Sequence, residues 1–384
     1  MPKIIAHIDI DTFFVSSEIR LDSKLEGQPI AISRRDDFAM AVSVSKEVKE
    51  KGFKITDKIV EIKKKIPNLI VIRPNMNYYK FLSNQFFTFI SKNFTKKIEV
   101  YSIDECFLDL TDFSRNFKTL SEMLYFIKDE LQKNLKLPIS IGVSYNKLLA
   151  KMATNLAKHS KDRIVLIPEF KIPSLIHTQK IENLFGIGAQ NSKKLKDAGI
   201  FTIGDFVKKG INDEKIVQIL GVNRHYFFQS LTGKGDNNVS NRLEKFKSIS
   251  HFRTFPLNNL LTKREILNLI SNFLSEIVEK LKKYSKAANR VEIFFKLKNK
   301  VQNRFFTNLT FPSNDYDFLY ENLVALVEKI NDFSFIFGFG IAVSKISDYD
   351  TGMLKTNPKV KSIISDINKK MGSKKLFVLN HIKN

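Results

Sequence analysis

An apolar opening, Ile4-Ile5-Ala6, passes into His7-Ile8-Asp9-Ile10-Asp11, where apolar and polar positions alternate. That period of two predicts a half-buried strand with Asp9 and Asp11 on one face. Phe13 to Glu18 predicts the start of a helix. Short apolar runs follow at 29–32 and 39–44, then a Lys-rich helical stretch from Lys46 to about Lys51 that stops at Gly52. A helix is expected over 57–66, ended by Pro67, and a brief strand over 69–74. An aromatic-rich helix over 77–94 precedes a strand-like stretch from Ile98 to Leu110. Leu120, Met123, Leu124, Ile127, Leu131 and Leu135 recur at helical spacing and predict an amphipathic helix over 119–135, broken by Pro138. A strand over 139–144 and a helix over 147–158, carrying Lys147, Lys151 and Lys158, follow. The order strand, helix, hairpin, helix, strand, helix suits a ferredoxin-like α+β fold.

From 168 to 235 the pattern changes to helices joined by glycine turns. A polar, glycine-bearing linker is expected over 236–246. Beyond it, strands over 252–255, 290–297, 305–310 and 337–343 and helices over 263–284 and 316–331 make an α/β region at 247–348. The polar, lysine-rich stretch 349–384 reads as a tail.

The run Tyr101-Ser102-Ile103-Asp104-Glu105-Cys106-Phe107-Leu108 sets two carboxylates side by side among apolar residues. A buried ionised carboxylate is costly unless paired or bound to a metal, and neighbours on a regular strand point to opposite faces. Asp104 and Glu105 can serve one site only at a turn. They are therefore expected at the tip of a hairpin, offering oxygens to a hard divalent cation; ordinary turn chemistry is the plainer reading of such a pair. Leu184-Phe185-Gly186-Ile187-Gly188, followed by Lys193, Lys194 and Lys196, has the form of a helix-hairpin-helix. Its glycines let backbone N–H groups approach a phosphate, and the next helix adds its positive end. An ordinary helix–helix turn is the alternative. Ile219-Leu220-Gly221-Val222 has the form of a second, degenerate copy.

Composition narrows the partner. The 384 residues include 63 Lys and Arg against 40 Asp and Glu, a formal net charge of +23, which favours a polyanion. No stretch approaches the ~20 apolar residues of a membrane span, and the first residues lack a signal-peptide layout, so a cytoplasmic protein off the membrane is expected. The one cysteine, Cys106, excludes an intrachain disulfide and fits a reducing compartment. Beside Glu105 in an apolar run, it reads as a core thiol rather than a nucleophile.

I-D-I-D-T-F-F-V-S-S-E from Ile8 and S-I-D-E from Ser102 together resemble the two catalytic motifs of Y-family (translesion) DNA polymerases, of the DNA polymerase IV type. The resemblance covers residues 1 to about 345. It implies a right-hand polymerase with a palm at 1–18 and 76–167, small fingers at 19–75, a helical thumb at 168–235 and a little finger at 247–348. It implies low-fidelity, template-directed synthesis from deoxynucleoside triphosphates on primer-template DNA, including damaged templates. A monomer is expected. Two Mg2+ ions would be held by Asp9, Asp104, Glu105 and the Ile10 carbonyl. Phe14 matches the family's steric gate against a ribose 2′-hydroxyl, with Phe13 beside it at the nucleotide. Lys158 matches the triphosphate-binding lysine, and Tyr79 a helix aromatic near the palm. Asp11 is not a firm ligand in the family's motif.

The fingers depart from the pattern. The usual S-Y-E-A-R reads Ser45-Lys46-Glu47-Val48-Lys49, so Lys46 and Lys49 stand where Tyr and Arg grip the triphosphate. Charge is kept and the planar fork of Arg is lost. Lys158 is followed by His159 rather than Pro. Lys375-Leu376-Phe377 is similar to a sliding-clamp-binding peptide. Two other readings are another ferredoxin-like enzyme such as a nucleotidyl cyclase, and a catalytically weakened DNA-binding scaffold of the same fold.

Overall fold

The computed structural model describes residues 3–34, 39–240, 246–255, 261–297, 302–330 and 336–349. The chain divides into two units, Met1–Leu243 and Glu244–Asn384.

Strand β1 (Ile5–Ile10) is buried on both faces. Helix α1 (Phe13–Leu21), short strands β2 (Ile30–Ile32) and β3 (Ser43–Val44), helices α2 (Lys46–Glu50) and α3 (Ile59–Lys65) and strand β4 (Ile70–Ile72) follow. Then come α4 (Met76–Asn93), β5 (Ile98–Val100), β6 (Glu105–Asp109), α5 (Leu120–Leu135), β7 (Ile139–Ser144), α6 (Lys147–Ala157) and β8 (Ile164–Leu166). The main sheet has the order β5-β6-β1-β7-β8, with β1 antiparallel to both neighbours and β8 parallel to β7. The alternation in β1 divides its residues as the sequence requires. Ala6, Ile8 and Ile10 enter a core with Tyr79, Leu82, Phe86 and Ile90 of α4 and Met123, Ile127 and Leu131 of α5. His7 and Asp9 therefore fall on the other face, which α6 covers.

Gly142 explains how α6 comes so close. A Cβ there would lie 2.1 Å from the Thr154 backbone nitrogen and 2.3 Å from the Ala150 carbonyl oxygen. Only a residue without a side chain lets the helix backbone rest on β7 at this point. β2, β3 and β4 form a separate three-stranded sheet whose small core includes Ala31, Val44, Val48, Ile59 and Ile62. Helices α7 (Ala189–Asp197), α8 (Ile203–Lys209), α9 (Glu214–Leu220) and α10 (Asn223–Leu231) pack around Leu195, Ile203, Phe206 and Ile216, and this core reaches Leu148, Leu149 and Met152 of α6. The same helix thus braces the sheet on one side and the helical region on the other. Lys147, at its start, pairs with Glu99 at 3.2 Å and with Asp236 at 2.7 Å.

The second unit holds β9 (Ser248–Thr254), α11 (Lys263–Lys283), β10 (Lys286–Leu297), β11 (Gln302–Ser313), α12 (Tyr316–Val327), β12 (Ile336–Ser344) and β13 (Ser347–Asp348). Its antiparallel sheet runs β11-β10-β12-β9, with β13 paired to β10. α11 and α12 pack on one face through Ile266, Ile270, Leu274, Ile277, Leu319 and Leu323.

Several elements differ from their sequence outlines. The run 39–44 yields only the two-residue β3 and a bridge from Met40 to Lys58. β10 and β11 are both longer than expected, because cross-strand pairing from Ala288–Ser313 to Lys296–Gln302 carries them past the apolar positions. α12 stops at Val327, short of 331. β8 was not anticipated: three residues that gain their strand only from pairing with β7. Residues 241–245 of the expected linker, and the stretch 350–384 with Lys375-Leu376-Phe377, lie outside the described residues. Cys106 is wholly buried in the main core, and burial raises its thiol well above the ordinary value.

Candidate active site

The two acidic motifs meet. Asp9 faces Glu105 across the β1–β6 ladder and Ser140 across β1–β7. The Ile10 N–H donates to the Asp104 carbonyl at 3.0 Å, which ties the turn to β1. Asp104 sits in the turn between β5 and β6, and Glu105 is the first residue of β6. The expected tip therefore holds only one of the two acids; the other opens the strand. That offset resolves the problem of adjacent side chains, since the turn frees Asp104 from the strand's alternation.

Burial decides the acids' protonation, and the partners correct it. Burial raises the Asp9 carboxyl to about 7, even though the Lys158 ammonium lies 2.6 Å away; the neighbouring Asp104 and Glu105 add to the rise. Burial also raises Asp104, against a hydrogen bond from the Ser102 hydroxyl. Glu105 goes the other way. Burial would raise it, but His7 and Lys151 outweigh that and hold it at about 2. Burial lowers His7 to about 4, so its ring is neutral near pH 7. Asp11 is held apart by other groups: the Ser140 hydroxyl at 2.9 Å and the Arg163 guanidinium at 2.6 Å. It follows β1, in the turn rather than on the strand face of Asp9, and is fully engaged in a structural ion pair.

Lys151 of α6 and Lys158 at its cap enter this balance, while Lys147 on the same face pairs with Glu99 and Asp236. Lys147 and Lys151 are buried, and Lys158 caps the helix. Positions 147, 151 and 158 fall on one face of a helix. The spacing was visible in the sequence. The partners were not, because Ser140, Arg163 and His7 come from separate elements.

The chain turns from β1 into α1 at Thr12, whose φ of 48° is a left-handed conformation that costs a β-branched residue energy. This bend puts the start of α1 beside the acids. The Phe13 ring is buried in the core and is not exposed toward the acids. The Phe14 ring is partly buried and stacks on Tyr79, with centroids 4.5 Å apart and planes within 14°. Tyr79 is fixed in turn by its hydroxyl, which donates to Glu18 at 2.6 Å in the buried interior. Of the two lysines of α2, Lys46 projects into solvent, 77% exposed, and pairs with Glu50. Lys49 senses the site: partial desolvation and then the Lys158 charge lower its ammonium, while Asp11 and Asp9 oppose.

The glycine loop has unequal members. Gly186 has a φ of 98° and its Cβ position lies 3.2 Å from the Phe227 ring, so it needs glycine. Gly188 has an ordinary φ of −79°, caps α7, and has open space before it. Lys193 and Lys194 are exposed on α7, whereas Lys196 pairs with Glu182 at 2.8 Å. Gly221 repeats the turn between α9 and α10 with a φ of 53°. In the second unit the sheet face away from α11 and α12 carries Arg290, Lys296 and Arg304 set over the rings of Phe306, Phe252 and Phe294.

Comparison with known proteins fits this arrangement. Residues 8–155 match the impB/mucB/samB family and 246–355 that family's C-terminal domain. DNA polymerase IV of Ureaplasma parvum serovar 3 is 32% identical over 354 residues, covering 90% of this chain and 94% of the relative. The chain belongs to the Y-family DNA polymerases. DNA polymerase IV 1 of Bacillus subtilis is 30% identical over 300 residues, covering 77% of this polymerase and 70% of that one. The fold is shared with a solved Y-family chimera of Dbh and Dpo4, at a TM-score of 0.79 and 22% identity, covering 90% of this chain and 99% of that one. It is also shared with DinB from Sulfolobus solfataricus, at 0.60 and 23%, covering 89% and 98%. The polymerase has the palm, fingers, thumb and little-finger architecture of these neighbours and the DNA-directed DNA polymerase activity of its family. Among the described residues, no helix is long and apolar enough to cross a membrane.

Enzymes of this family depend on a metal. Among the described residues no three His, Cys, Asp or Glu side chains stand ready-grouped around a cation. Asp9 is engaged by Lys158, Glu105 by Lys151 and Asp104 by Ser102. The donors nevertheless fit. They are oxygens, and beyond burial their mutual repulsion adds to the rise of Asp9 and Asp104, a repulsion that a divalent cation would relieve.

Proposed function

We propose that this polymerase adds deoxynucleotides to a primer 3′ end by two-metal phosphoryl transfer, with Asp9, Asp104, Glu105 and the Ile10 carbonyl holding two Mg2+ ions. The observation that carries the reading is the meeting of Asp9 and Glu105 on neighbouring strands, with Asp104 in the adjoining turn. The ions would supply activation of the primer hydroxyl and charge neutralisation at the triphosphate. The protein's own groups do the rest. Lys158 releases Asp9 to a cation and turns its ammonium to the triphosphate. Lys49 adds a second positive charge from the fingers; Lys46, pointing to solvent, adds long-range attraction only. The Phe14 ring, backed by Tyr79, lies under the sugar and rejects a 2′-hydroxyl by contact. Gly186 and Gly188 let backbone N–H groups of the thumb reach a DNA phosphate, with Lys193 and Lys194 beside them. The palm would comprise 1–18 and 76–167, the fingers 19–75, the thumb 168–235 and the little finger 247–348, with a linker at 236–246. The enzyme would act as a cytoplasmic monomer in translesion synthesis, and residues 349–384 would carry any sliding-clamp contact.

Retention of Asp9, Asp104 and Glu105 speaks against a weakened scaffold, and the second, cation-lined unit against a nucleotidyl cyclase. Primer extension with Mg2+ and single deoxynucleotides tests the reading. Wild type extends the primer with the templated nucleotide, and Asp104→Ala does not. An Asp104→Ala enzyme that extends at the wild-type rate removes the metal assignment.

A further inference from the structure

Lys151 has more partners than a charge-neutralising lysine requires. Its ammonium donates to the Glu105 carboxylate and approaches His7 Nε2 at 3.4 Å. It also sits 5.3 Å from the centre of the Tyr101 ring and 5.0 Å from that of Phe185. Tyr101 belongs to the hairpin that carries Asp104, Phe185 to the glycine loop, and the two rings meet edge to face at 5.9 Å. The side chain is 10% exposed.

His7 completes the surroundings of the Lys151 ammonium. The Thr154 hydroxyl lies 3.0 Å from His7 Nδ1 and within hydrogen-bond reach of the His7 and Ala150 carbonyls. Nε2 faces both the Lys151 ammonium at 3.4 Å and the Glu105 carboxylate at 3.5 Å. The ammonium is therefore surrounded on three sides: by a carboxylate, an imidazole nitrogen and two ring faces.

We propose that Lys151 is a positioning residue of the polymerase site, which holds the Glu105 carboxylate in its working orientation and couples that orientation to the thumb's glycine loop. The inference rests on the assignment of Glu105 as a metal ligand given above. The lysine competes with an arriving cation for Glu105 and, by staying in the ring cradle, keeps the carboxylate aimed once it is shared. Removing the charge should then have two opposite effects. Cation affinity rises because a like charge is gone, and turnover falls because the ligand is no longer oriented.

The test is Lys151→Met, with Lys151→Arg as the charge-preserving control. Mg2+ binding is measured by calorimetry on the full chain without nucleotide, and primer extension gives kcat and KM for the deoxynucleotide. Lys151→Met should bind Mg2+ on the order of 10-fold more tightly while kcat falls ~10–100-fold and KM stays at the wild-type value. Lys151→Arg should keep wild-type Mg2+ affinity and recover most of kcat. A wild-type or weakened Mg2+ affinity in Lys151→Met, or an unchanged kcat, overturns the proposal. Should Lys151→Met fail to fold, the wild-type protein still decides. The side-chain 15N resonance of Lys151, assigned by its loss in Lys151→Arg, should shift as Mg2+ is added, and an immobile resonance at saturation overturns the proposal. A wild-type isotherm that Asp9→Ala leaves intact instead removes the metal assignment beneath it.

Discussion

Asp9 and Glu105 stand opposite each other on adjacent strands, and each is held by a different lysine of the same helix. Burial raises the Asp9 carboxyl to about 7, whereas Glu105 is held low and ionised. Two carboxylates that face each other in the ladder thus have opposite electrostatic characters. The difference comes from His7 and Lys151 on one side against Lys158 alone on the other.

Asp9→Asn keeps the shape and removes the charge. Primer extension in Mg2+ should fall by at least about 10³-fold, the scale on which a charge-stabilising group acts. Primer-template affinity, measured by fluorescence anisotropy, should change little.

Phe14→Ala removes the ring that backs on Tyr79. Incorporation of ribonucleotides relative to deoxynucleotides should rise ~10²-fold or more. The reading is single-nucleotide kcat/KM for each sugar. Tyr79→Phe should preserve the stack and the discrimination, and should cost ~1–3 kcal/mol of stability through the unpartnered Glu18 carboxylate.

Gly142→Ala should be among the most damaging single-methyl additions in the chain. The new Cβ meets backbone atoms of α6 rather than a movable side chain. A loss of ~3 kcal/mol or more is expected in urea unfolding, with extension activity lost in parallel because α6 carries Lys151 and Lys158.

Arg304→Ala and Lys296→Ala on the open sheet face should weaken DNA binding about equally for unrelated sequences. Each should lower the slope of log affinity against log salt by about 1 if it contacts a phosphate. An unchanged slope would identify that cation as a surface charge away from the DNA.

Asp205 closes a capping box at the start of α8, accepting from the N–H groups of Phe201 and Thr202 while Thr202 caps in return. These backbone and hydroxyl hydrogen bonds hold its carboxyl below the ordinary value. Its contribution to stability is therefore complete above the unfolded-state value and is lost as pH falls through the lower folded-state value. Asp205→Ala should cost ~1 kcal/mol at pH 7 and much less near pH 3, as read from thermal unfolding at the two pH values.

The palm elements were legible because their apolar spacing matches their period: β1, α5 and β7 appear within a residue of expectation. The acids were legible because a carboxylate in an apolar strand needs a reason. Their electrostatic partners were hidden. Arg163 and Ser140 lie 152 and 129 residues from Asp11 and have no unusual local context. The apolar run puts Glu105 at the tip with Asp104, because sequence alone does not reveal where a turn ends and pairing resumes; in the structure Glu105 opens β6. Lys46 and Lys49 looked equivalent on paper. Three residues on a short helix turn a side chain by about 300°, which in this case separates solvent from the site.

The pairing of Asp11 with Arg163 has a consequence for the approach of substrate. A census of the two motifs suggests a sharply negative pocket that would repel a triphosphate. With Asp11 matched by a guanidinium, Glu105 and Asp9 by ammonium groups, the floor is close to electroneutral, so a polyanion arriving with its own counterions meets no barrier at the threshold.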